Sequence, residues 1–354
     1  MKKRVLSLVL CLVMALTLAA CGSSSASDTT ETDDTASDAS SDAEEIQSDT
    51  ASDTAASGTV SITVAYQYGL SYEPAIIAME LGLIEEAYAE ATGGSLTVSW
   101  TQMSSGSDIN TGIMSGSVDI GFMGLGPALT GIANEVGYKI FMNVSGQEHG
   151  MMTSDESITS LGDLVGSDTQ IALVNIGSFQ HIILAMALAE AGYDAHALDS
   201  NIVAMTHPDG MTALQTGSIS VHLTSSPYIF TEREDESLHE LTEINEIWSA
   251  EDSFIVGVAS ETMYEEQPEL YQAICDGFAA AIDLINESPE EAAEISYELN
   301  GNTYEDELAY IQTGVYTTQT SKLYEFAQFM YEEEFLEVEI ESYEDMVFDN
   351  VTGD

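Results

Sequence analysis

Four serines stand at or just before the predicted starts of helices, where their hydroxyl groups could bind an anion. Ser104, Ser105 and Ser107 follow one predicted strand, and Ser178 follows another. A helix N-terminus presents unpaired backbone N–H groups and a partial positive charge, to which hydroxyls add further donors. The same residues are good N-caps, a role that needs no ligand. Because we expect all four to face one crevice, we favour anion binding for the set.

Aromatic residues in neighbouring loops could form the walls of the same binding cleft. The set consists of Tyr66, Tyr68, Tyr72, Phe179 and Tyr228. Aromatic side chains supply apolar surface, and tyrosine adds a hydroxyl group. Tyr66 continues the alternation of a strand and could equally lie in the core. For Trp100, which ends a strand, core packing is the favoured prediction and a cleft-facing position is the alternative.

Other loop residues complete the candidate ligand site. They are Gln67, Gly124, Leu125, Gly126, His181, Asp209 and Ser226. His181 follows a Gly-Ser turn, where it could donate to an oxyanion or sense pH, and a packing or capping role is the alternative. Asp108 or Asp209 could accept a hydrogen bond from the amine of a heterocyclic ligand.

Motifs for metal binding and catalysis are missing from the sequence. The six histidines are scattered, without the close spacing of a zinc site. Ser178 and His181 lie three residues apart, but this spacing alone is not a catalytic triad. No nucleophile elbow, P-loop or dinucleotide-binding fingerprint occurs. We therefore predict no catalytic residues, no metal ligands, no cofactor and no enzymatic activity.

The charge of the chain is strongly acidic. It contains 61 Asp and Glu residues against 6 Lys and Arg, which gives a formal net charge of −55 at pH 7. Nucleic-acid binding needs a basic surface, so a nucleic-acid partner is excluded. Charge-driven adsorption to an anionic membrane is excluded for the same reason. Such acidity is typical of a protein that stays soluble in a salty or crowded exterior.

The first 58 residues predict secretion and anchoring. Residues 1–20 combine a basic start with an apolar run, as in a signal peptide. The run ends in Leu-Ala-Ala followed by Cys21, which matches the bacterial lipobox, and we predict that Cys21 is lipidated. Residues 21–58 are rich in Ser, Thr, Ala and acidic residues and cannot form a core, so we expect a disordered tether. These features predict a lipid-anchored protein on the extracytoplasmic face of the cell membrane.

Residues 59–354 alternate between strand and helix patterns, which predicts an α/β fold. We assign residues 59–150 to a first lobe and residues 151–253 to a second. Residues 254–354 are expected to return to the first lobe and end in helices. The pattern breaks into turn residues from Met151 to Asp163, which marks a candidate crossing between the lobes, and Phe254 to Ala259 predicts a returning strand. Ligands of such sheets bind at the carboxyl ends of the strands, where the candidate loops fall.

Several short stretches resemble the substrate-binding proteins of ATP-binding-cassette importers. The resemblance is to the group that handles nitrate, sulfonates, taurine, bicarbonate and the thiamine pyrimidine precursor. The matching stretches are AYQ (65–67), PAIIAMELG (74–82), SSG (104–106), MSGSVDIG (114–121), GLGP (124–127), LGDLVG (161–166) and GSFQH (177–181). Each motif alone is weak, but their order and spacing together are fairly specific over residues 60–300.

The resemblance implies a two-lobed type II periplasmic-binding-protein fold, joined by a two-strand hinge, with a C-terminal helical region. It also implies a permease and ATPase complex as partner and a small molecule as ligand, and we expect a monomer. Among ligands, we favour a small oxyanion resembling nitrate, a sulfonate or taurine. The alternative is a neutral or cationic heterocycle such as an aminopyrimidine. An alternative of another class is a surface receptor or adhesion protein with no transport role.

Overall fold

The structure, a computed structural model, describes residues 59–354. The predicted signal peptide, Cys21 and the predicted tether lie outside the described residues. Residues 59–354 form ten strands and fourteen α-helices. The strands are β1 (Val60–Tyr66), β2 (Leu96–Gln102), β3 (Ile120–Gly124), β4 (Tyr138–Ser145), β5 (His149–Thr153), β6 (Ile171–Leu173), β7 (Ile202–Ala204), β8 (Val221–Ser225), β9 (His239–Leu241) and β10 (Ile255–Ser260).

The helices follow the strands in alternation until the C-terminal part, which is helical. They are α1 (Glu73–Leu81), α2 (Leu83–Thr92), α3 (Gly106–Ser115), α4 (Leu125–Ala133), α5 (Leu161–Leu164), α6 (Phe179–Glu190), α7 (His207–Gln215), α8 (Tyr228–Arg233), α9 (Glu261–Glu266), α10 (Pro268–Glu287), α11 (Pro289–Asn300), α12 (Tyr304–Ile311), α13 (Leu323–Glu332) and α14 (Tyr343–Met346). Glycines in the left-handed conformation end several of them, including Gly82, Gly93 and Gly116.

The strands form two sheets, one in each lobe. The first has the order β2-β1-β3-β10-β4, and the second has the order β7-β6-β8-β5-β9. In both sheets three neighbouring strands are parallel, and the two strands at the other side pair antiparallel with their neighbours. This arrangement confirms the predicted α/β fold with two lobes.

The chain passes between the sheets twice. It leaves the first sheet after Ser145 and enters the second at His149, and it returns between β9 and β10. The returning strand predicted from Phe254 to Ala259 is β10. The turn predicted from Met151 is wrong at its start, because Met151–Thr153 belong to β5. All five residues of β5 are buried between β8 and β9, so tertiary pairing makes a strand of a short stretch with little pattern of its own.

The first lobe contains an aromatic core. Phe122 lies 4.2 Å from Phe278 and 5.8 Å from Phe141 between ring centroids. Trp100 packs 6.1 Å from Phe278, which is the core position favoured from the sequence. Helix α10 packs on α1 and α2, and α13 packs on α4, so the C-terminal helices cover the first lobe. Within residues 59–354, no helix is both long and apolar enough to cross a membrane.

Candidate functional site: a cleft between the lobes

A cleft lies between the two lobes, at the carboxyl ends of their parallel strands. Its enclosed volume is about 30 Å³ in this conformation, which leaves room for little more than a water molecule. The lining residues are Gln67, Tyr68, Tyr72, Ser104, Gly106, Gly124, Pro127, Val174, Asn175, Ser178, Phe179, Gln180, Thr206, His207, Ser225, Phe254 and Ile255. Both lobes contribute to the cleft, as expected for a site that closes around its ligand.

Four helices begin at this cleft. Gly106 is the first residue of α3, Pro127 lies in the first turn of α4, Phe179 begins α6 and His207 begins α7. The first turn of each helix has backbone N–H groups without intrahelical partners. Asp108 and Asp209 in the first turns of α3 and α7 offset part of the positive charge of these N-termini, whereas α4 and α6 have no acidic residue in their first turns. The partial positive potential that suits a small anion therefore comes mainly from α4 and α6.

The caps of these helices show which hydroxyl groups are already engaged. Ser105 Oγ accepts from the Asp108 N–H at 3.1 Å and lies 2.9 Å from the Asp108 carboxylate. Thr206 makes the same pair of contacts with Asp209, at 3.4 and 2.7 Å. Asp108 and Asp209 are therefore held by the caps of their own helices.

Ser178 has two roles in this geometry. Its Oγ accepts from the His181 N–H at 3.3 Å and caps α6, while the residue also lines the cleft. Ser104 lines the cleft from the first lobe and is exposed. These two residues combine the predicted hydroxyl groups with a position at the site.

The wall from the first lobe is built by a loop after β1. Gln67 Nε2 donates to the Tyr72 hydroxyl at 2.8 Å, and both side chains are buried. Burial raises the pKa of Tyr72 above its ordinary range, so the hydroxyl stays protonated. Tyr68 is 37% exposed and stands at the mouth of the cleft, where it can cover a ligand.

The wall from the second lobe contains a buried polar chain. Gln180 Nε2 lies 3.4 Å from His207 Nε2, and His207 Nδ1 lies 3.2 Å from Thr224 Oγ1. Burial, with a smaller effect from His222, lowers the pKa of His207 to about 3. His207 is therefore neutral at physiological pH, and we assign its proton to Nδ1, because Nε2 faces the amide donor.

The cleft is polar but carries no ionised side chain. Among the described residues that line it, none is Asp, Glu, Lys or Arg, and His207 is neutral. In residues 59–354, no group of three or more His, Cys, Asp or Glu side chains is placed to hold a metal ion. The groups available to a ligand are hydroxyls, amides, backbone N–H groups and aromatic faces.

Direct contacts between the lobes show that the cleft is closed. The Leu70 N–H donates to the Ser226 carbonyl at 3.3 Å, and Asn175 Nδ2 donates to Ser107 Oγ at 3.2 Å. A Cβ atom placed on Gly126 would lie 2.6 Å from the Gly177 carbonyl oxygen. Gly126 thus allows the backbones of the two lobes to meet.

The predicted site residues divide into two groups. Those that line the cleft are Gln67, Tyr68, Tyr72, Ser104, Gly124, Ser178 and Phe179. Those that are not part of the cleft lining are Tyr66, Ser105, Ser107, Leu125, Gly126, His181, Asp209, Ser226 and Tyr228. Of the second group, Ser107, Gly126 and Ser226 make contacts between the lobes, and Tyr66 lies beside Trp100 at 6.3 Å.

Several lining residues were not among the sequence candidates. They are Gly106, Pro127, Val174, Asn175, Gln180, Thr206, His207, Ser225, Phe254 and Ile255. Most of them stand one to three residues from a predicted one, in the same loops. The loops were therefore accessible from the sequence, whereas the direction of each side chain depends on the rotation of each helix about its axis.

A buried histidine behind the cleft makes stability sensitive to acid. His149 packs 4.8 Å from Phe179 and 4.5 Å from Phe254, and neither ring nitrogen has a hydrogen-bond partner among the described residues. Burial, with a smaller effect from His207, lowers its pKa to about 3. In the unfolded state the pKa of this histidine is about 6.5. Because its pKa is lower in the folded state, its effect on the free energy of unfolding is nearly absent above pH 6.5, and the protein loses stability as the pH falls below that value.

We expect His149→Leu to reduce this acid sensitivity. Between pH 7 and pH 5, the wild type should lose about 2 kcal/mol more free energy of unfolding than the variant, because only the wild type must keep this imidazole neutral. Denaturant unfolding at both pH values measures the difference. Met151→Leu, a change on the same buried strand, should lose as much unfolding free energy between pH 7 and pH 5 as the wild type does. If His149→Leu also loses as much as the wild type, the prediction is contradicted.

The comparisons with known proteins agree with this geometry. The model of the NMT1-like family matches residues 55–299. The chain belongs to the NMT1-like family. The match covers both sheets and all the loops that line the cleft.

Relatives of this NMT1-like protein have names that describe binding. It is 25% identical over 274 residues to the taurine-binding periplasmic protein of Escherichia coli (strain K12), covering 73% of this chain and 80% of that protein. Two solved structures share its fold. The alkanesulfonate-binding protein SsuA from Xanthomonas axonopodis pv. citri, bound to MOPS, has a TM-score of 0.67 at 16% identity, covering 83% of this chain and 99% of that chain. The periplasmic nitrate-binding protein NrtA from Synechocystis PCC 6803 has a TM-score of 0.55 at 16% identity, covering 70% of this chain and 69% of that chain.

These matches confirm the family resemblance seen in the sequence. The family match, the taurine-binding relative and the two-lobed neighbours all fall within the group of substrate-binding proteins that the sequence motifs resemble. The names of these relatives describe binding proteins, which agrees with the prediction that the chain is not an enzyme.

Proposed function

We propose that the protein is a lipid-anchored, extracytoplasmic receptor that captures a small sulfonate between its lobes and delivers it to an importer. The observation that carries this proposal is the convergence of four helix N-termini on a cleft without ionised side chains. Backbone N–H groups can hold an anion without a Lys or Arg, since their dipoles are fixed by the fold. The names of the taurine- and alkanesulfonate-binding relatives support the sulfonate class.

The rest of the cleft suits the organic part of a sulfonate. Tyr68, Tyr72, Phe179 and Phe254 offer apolar surface beside the polar groups. Contacts from both lobes favour the closed state, which is the state that a permease would recognise. The negative field of the whole chain slows the approach of an anion, but it is screened beyond about 8 Å at physiological salt.

The heterocyclic alternative has less support. An aminopyrimidine would stack on the aromatic walls and needs an acceptor for its amine. Asp108 and Asp209 were the candidates, and both carboxylates instead pair with capping hydroxyls and lie outside the cleft lining. Oxyanions therefore fit the available groups better.

A ligand panel in thermal melting tests the proposed class. At about 100 times the Kd, a ligand adds about 2.7 kcal/mol to the stability, which is easily detected. We expect stabilisation by ethanesulfonate, and a smaller effect from taurine, because taurine's ammonium group would lose water without meeting a carboxylate in the cleft. Nitrate, bicarbonate and aminopyrimidines complete the panel. A shift with aminopyrimidines alone would overturn the sulfonate proposal.

The lipid anchor is proposed from Cys21 and needs its own test. Expression of the full chain in bacteria with labelled palmitate should label the wild type and leave Cys21→Ser unlabelled, and only the wild type should sediment with membranes. Equal sedimentation of both forms would remove lipidation from the proposal. A matched control, Cys275→Ser, changes a buried core thiol and should not alter labelling.

A further inference from the structure

A chain of hydrogen bonds links the cleft to the end of the C-terminal helix α13. The Gly177 N–H, in the loop of residues 174–178, donates to His181 Nδ1 at 2.9 Å. His181 Nε2 lies 2.8 Å from Asp199 Oδ1. The other oxygen of Asp199 lies 2.8 Å from His196 Nδ1, and His196 Nε2 lies 2.6 Å from the carbonyl oxygen of Glu333.

The chemistry of these partners fixes the protons on both rings. His181 accepts at Nδ1, so its proton is on Nε2, where it donates to the carboxylate. His196 faces an acceptor on each side, a carboxylate oxygen and a carbonyl oxygen. Each of its nitrogens must therefore carry a hydrogen, and His196 is an imidazolium when both contacts are made.

The hydrogen-bond chain joins a loop that lines the cleft to a segment that follows a helix packed on the first lobe. Loop 174–178 lines the cleft, and its Gly177 lies against Gly126 of the first lobe. At the other end, Glu333 follows α13, which packs on α4 of the first lobe. Phe335 adds ring contacts at 4.5 Å from His196 and 5.1 Å from His181. The hydrogen bonds thus tie the C-terminal segment to the loop of the second lobe that lines the cleft.

We propose that His196 is a positioning residue, which as an imidazolium between Asp199 and the Glu333 carbonyl ties α13 to loop 174–178 and stabilises the closed cleft. The effect on ligand binding rests on the proposed function, whereas the tie itself does not. When His196 loses its proton, one of its two contacts is lost and the closed state becomes less favoured. The protein should therefore bind its ligand more weakly as the pH rises.

The surroundings of His196 agree with this direction. The hydrogen bond to the Glu333 carbonyl has the largest effect and raises the pKa of His196; burial, the next largest effect, lowers it, and Asp199 and Asp194 raise it further, so that the pKa is raised overall. His181 faces the same carboxylate from α6, and burial lowers the pKa of His181, so it remains neutral. Glu332 and Glu334 flank the carbonyl in sequence. A raised pKa gives a contact that is complete below about pH 6.5 and is lost as the pH rises through the folded value.

The side chains are placed to respond to solvent. His196 is 38% exposed and Asp199 37%, whereas His181 is only 2% exposed. His196 and Asp199 can therefore exchange protons with the solvent, while the buried His181 holds the cleft loop in place.

The test uses the soluble chain from residue 22 to residue 354, without ligand, in hydrogen exchange at pH 6. We expect His196→Gln to speed exchange of the backbone amides in α13 and in loop 174–178 by about tenfold. The matched control is His239→Gln. His239 is a half-buried histidine of the second lobe whose Nε2 bonds the Ile158 carbonyl and which takes no part in this series of hydrogen bonds. ¹⁵N spectra of the imidazoles should show both nitrogens of His196 protonated and only Nε2 of His181 protonated.

The pH dependence of ligand affinity is a measurement that would not change if His196 had a purely structural role. The affinity of the wild type for ethanesulfonate should fall about tenfold between pH 6 and pH 9. The His196→Gln variant should bind ethanesulfonate weakly, with an affinity that does not change with pH. Unchanged exchange in His196→Gln, or equal changes in His239→Gln, would overturn the tie. If exchange responds and no sulfonate binds, the tie stands and the proposed ligand class fails.

Discussion

Gly126→Ala is expected to weaken ligand binding at least 100-fold, because the added methyl group prevents the lobes from closing. The new Cβ would lie 2.6 Å from the Gly177 carbonyl oxygen and 3.1 Å from the Ser178 carbonyl carbon, both of them backbone atoms that cannot rotate away. Gly126 lies in the first turn of α4, where alanine is a good helix former, so the first lobe itself should not be destabilised. The loss corresponds to about 2.8 kcal/mol, since each 1.4 kcal/mol is tenfold.

Titration calorimetry with the ligand that stabilises the wild type measures this effect, and solution scattering shows whether the variant stays open. Gly94→Ala is the matched control, since its nearest contacts are the side-chain atoms of Thr92 and Tyr88. It should bind as the wild type does. Normal affinity in Gly126→Ala would mean that the closed state described here is not the one that holds the ligand.

Phe179→Ala should reduce both stability and binding. Phe179 is 1% exposed and stacks on Phe326 at 5.2 Å, with Phe254 at 4.7 Å and Trp248 at 5.8 Å. Removing a fully buried phenylalanine costs about 3–5 kcal/mol of unfolding free energy. Because the same ring lines the cleft, we also expect about tenfold or greater loss of affinity.

The control for this variant is Phe278→Ala, in the core of the first lobe. Phe278 is fully buried against Phe122 and is not a cleft residue, so its loss should destabilise the protein to a similar degree without changing ligand affinity. Urea unfolding and titration of both variants separate the two effects. Equal affinities for Phe179→Ala and wild type would remove Phe179 from the binding wall.

The fold was predictable wherever local patterns were strong. Strands β1 to β4 alternate or form apolar runs, and glycines such as Gly82 and Gly116 stop the helices between them. Strand β5 was missed because its five residues carry a mixed pattern and gain their strand form from pairing with β8 and β9. Local propensity is overruled by tertiary pairing in such short elements.

The loops of the cleft were predictable, but the individual lining residues were only partly so. The stretch that opens α7 predicts Asp209 as a ligand residue. In the structure Asp209 lies in the first turn of α7 and pairs with the Thr206 hydroxyl, whereas Thr206 and His207 line the cleft. In a helix each residue rotates the side chain by about 100°, so an error of two residues reverses its direction. Contacts such as Gly126 with Gly177 depend on how far the lobes close, which no local pattern records.

The central claim is that the protein closes on a small sulfonate, and small-angle scattering of the wild type with and without saturating ethanesulfonate tests it most directly. We predict that the radius of gyration falls when ethanesulfonate binds and that it stays at the ligand-free value with aminopyrimidines. An unchanged radius at ethanesulfonate concentrations that saturate the thermal shift would contradict closure around the ligand. A decrease with an aminopyrimidine alone would contradict the proposed ligand class.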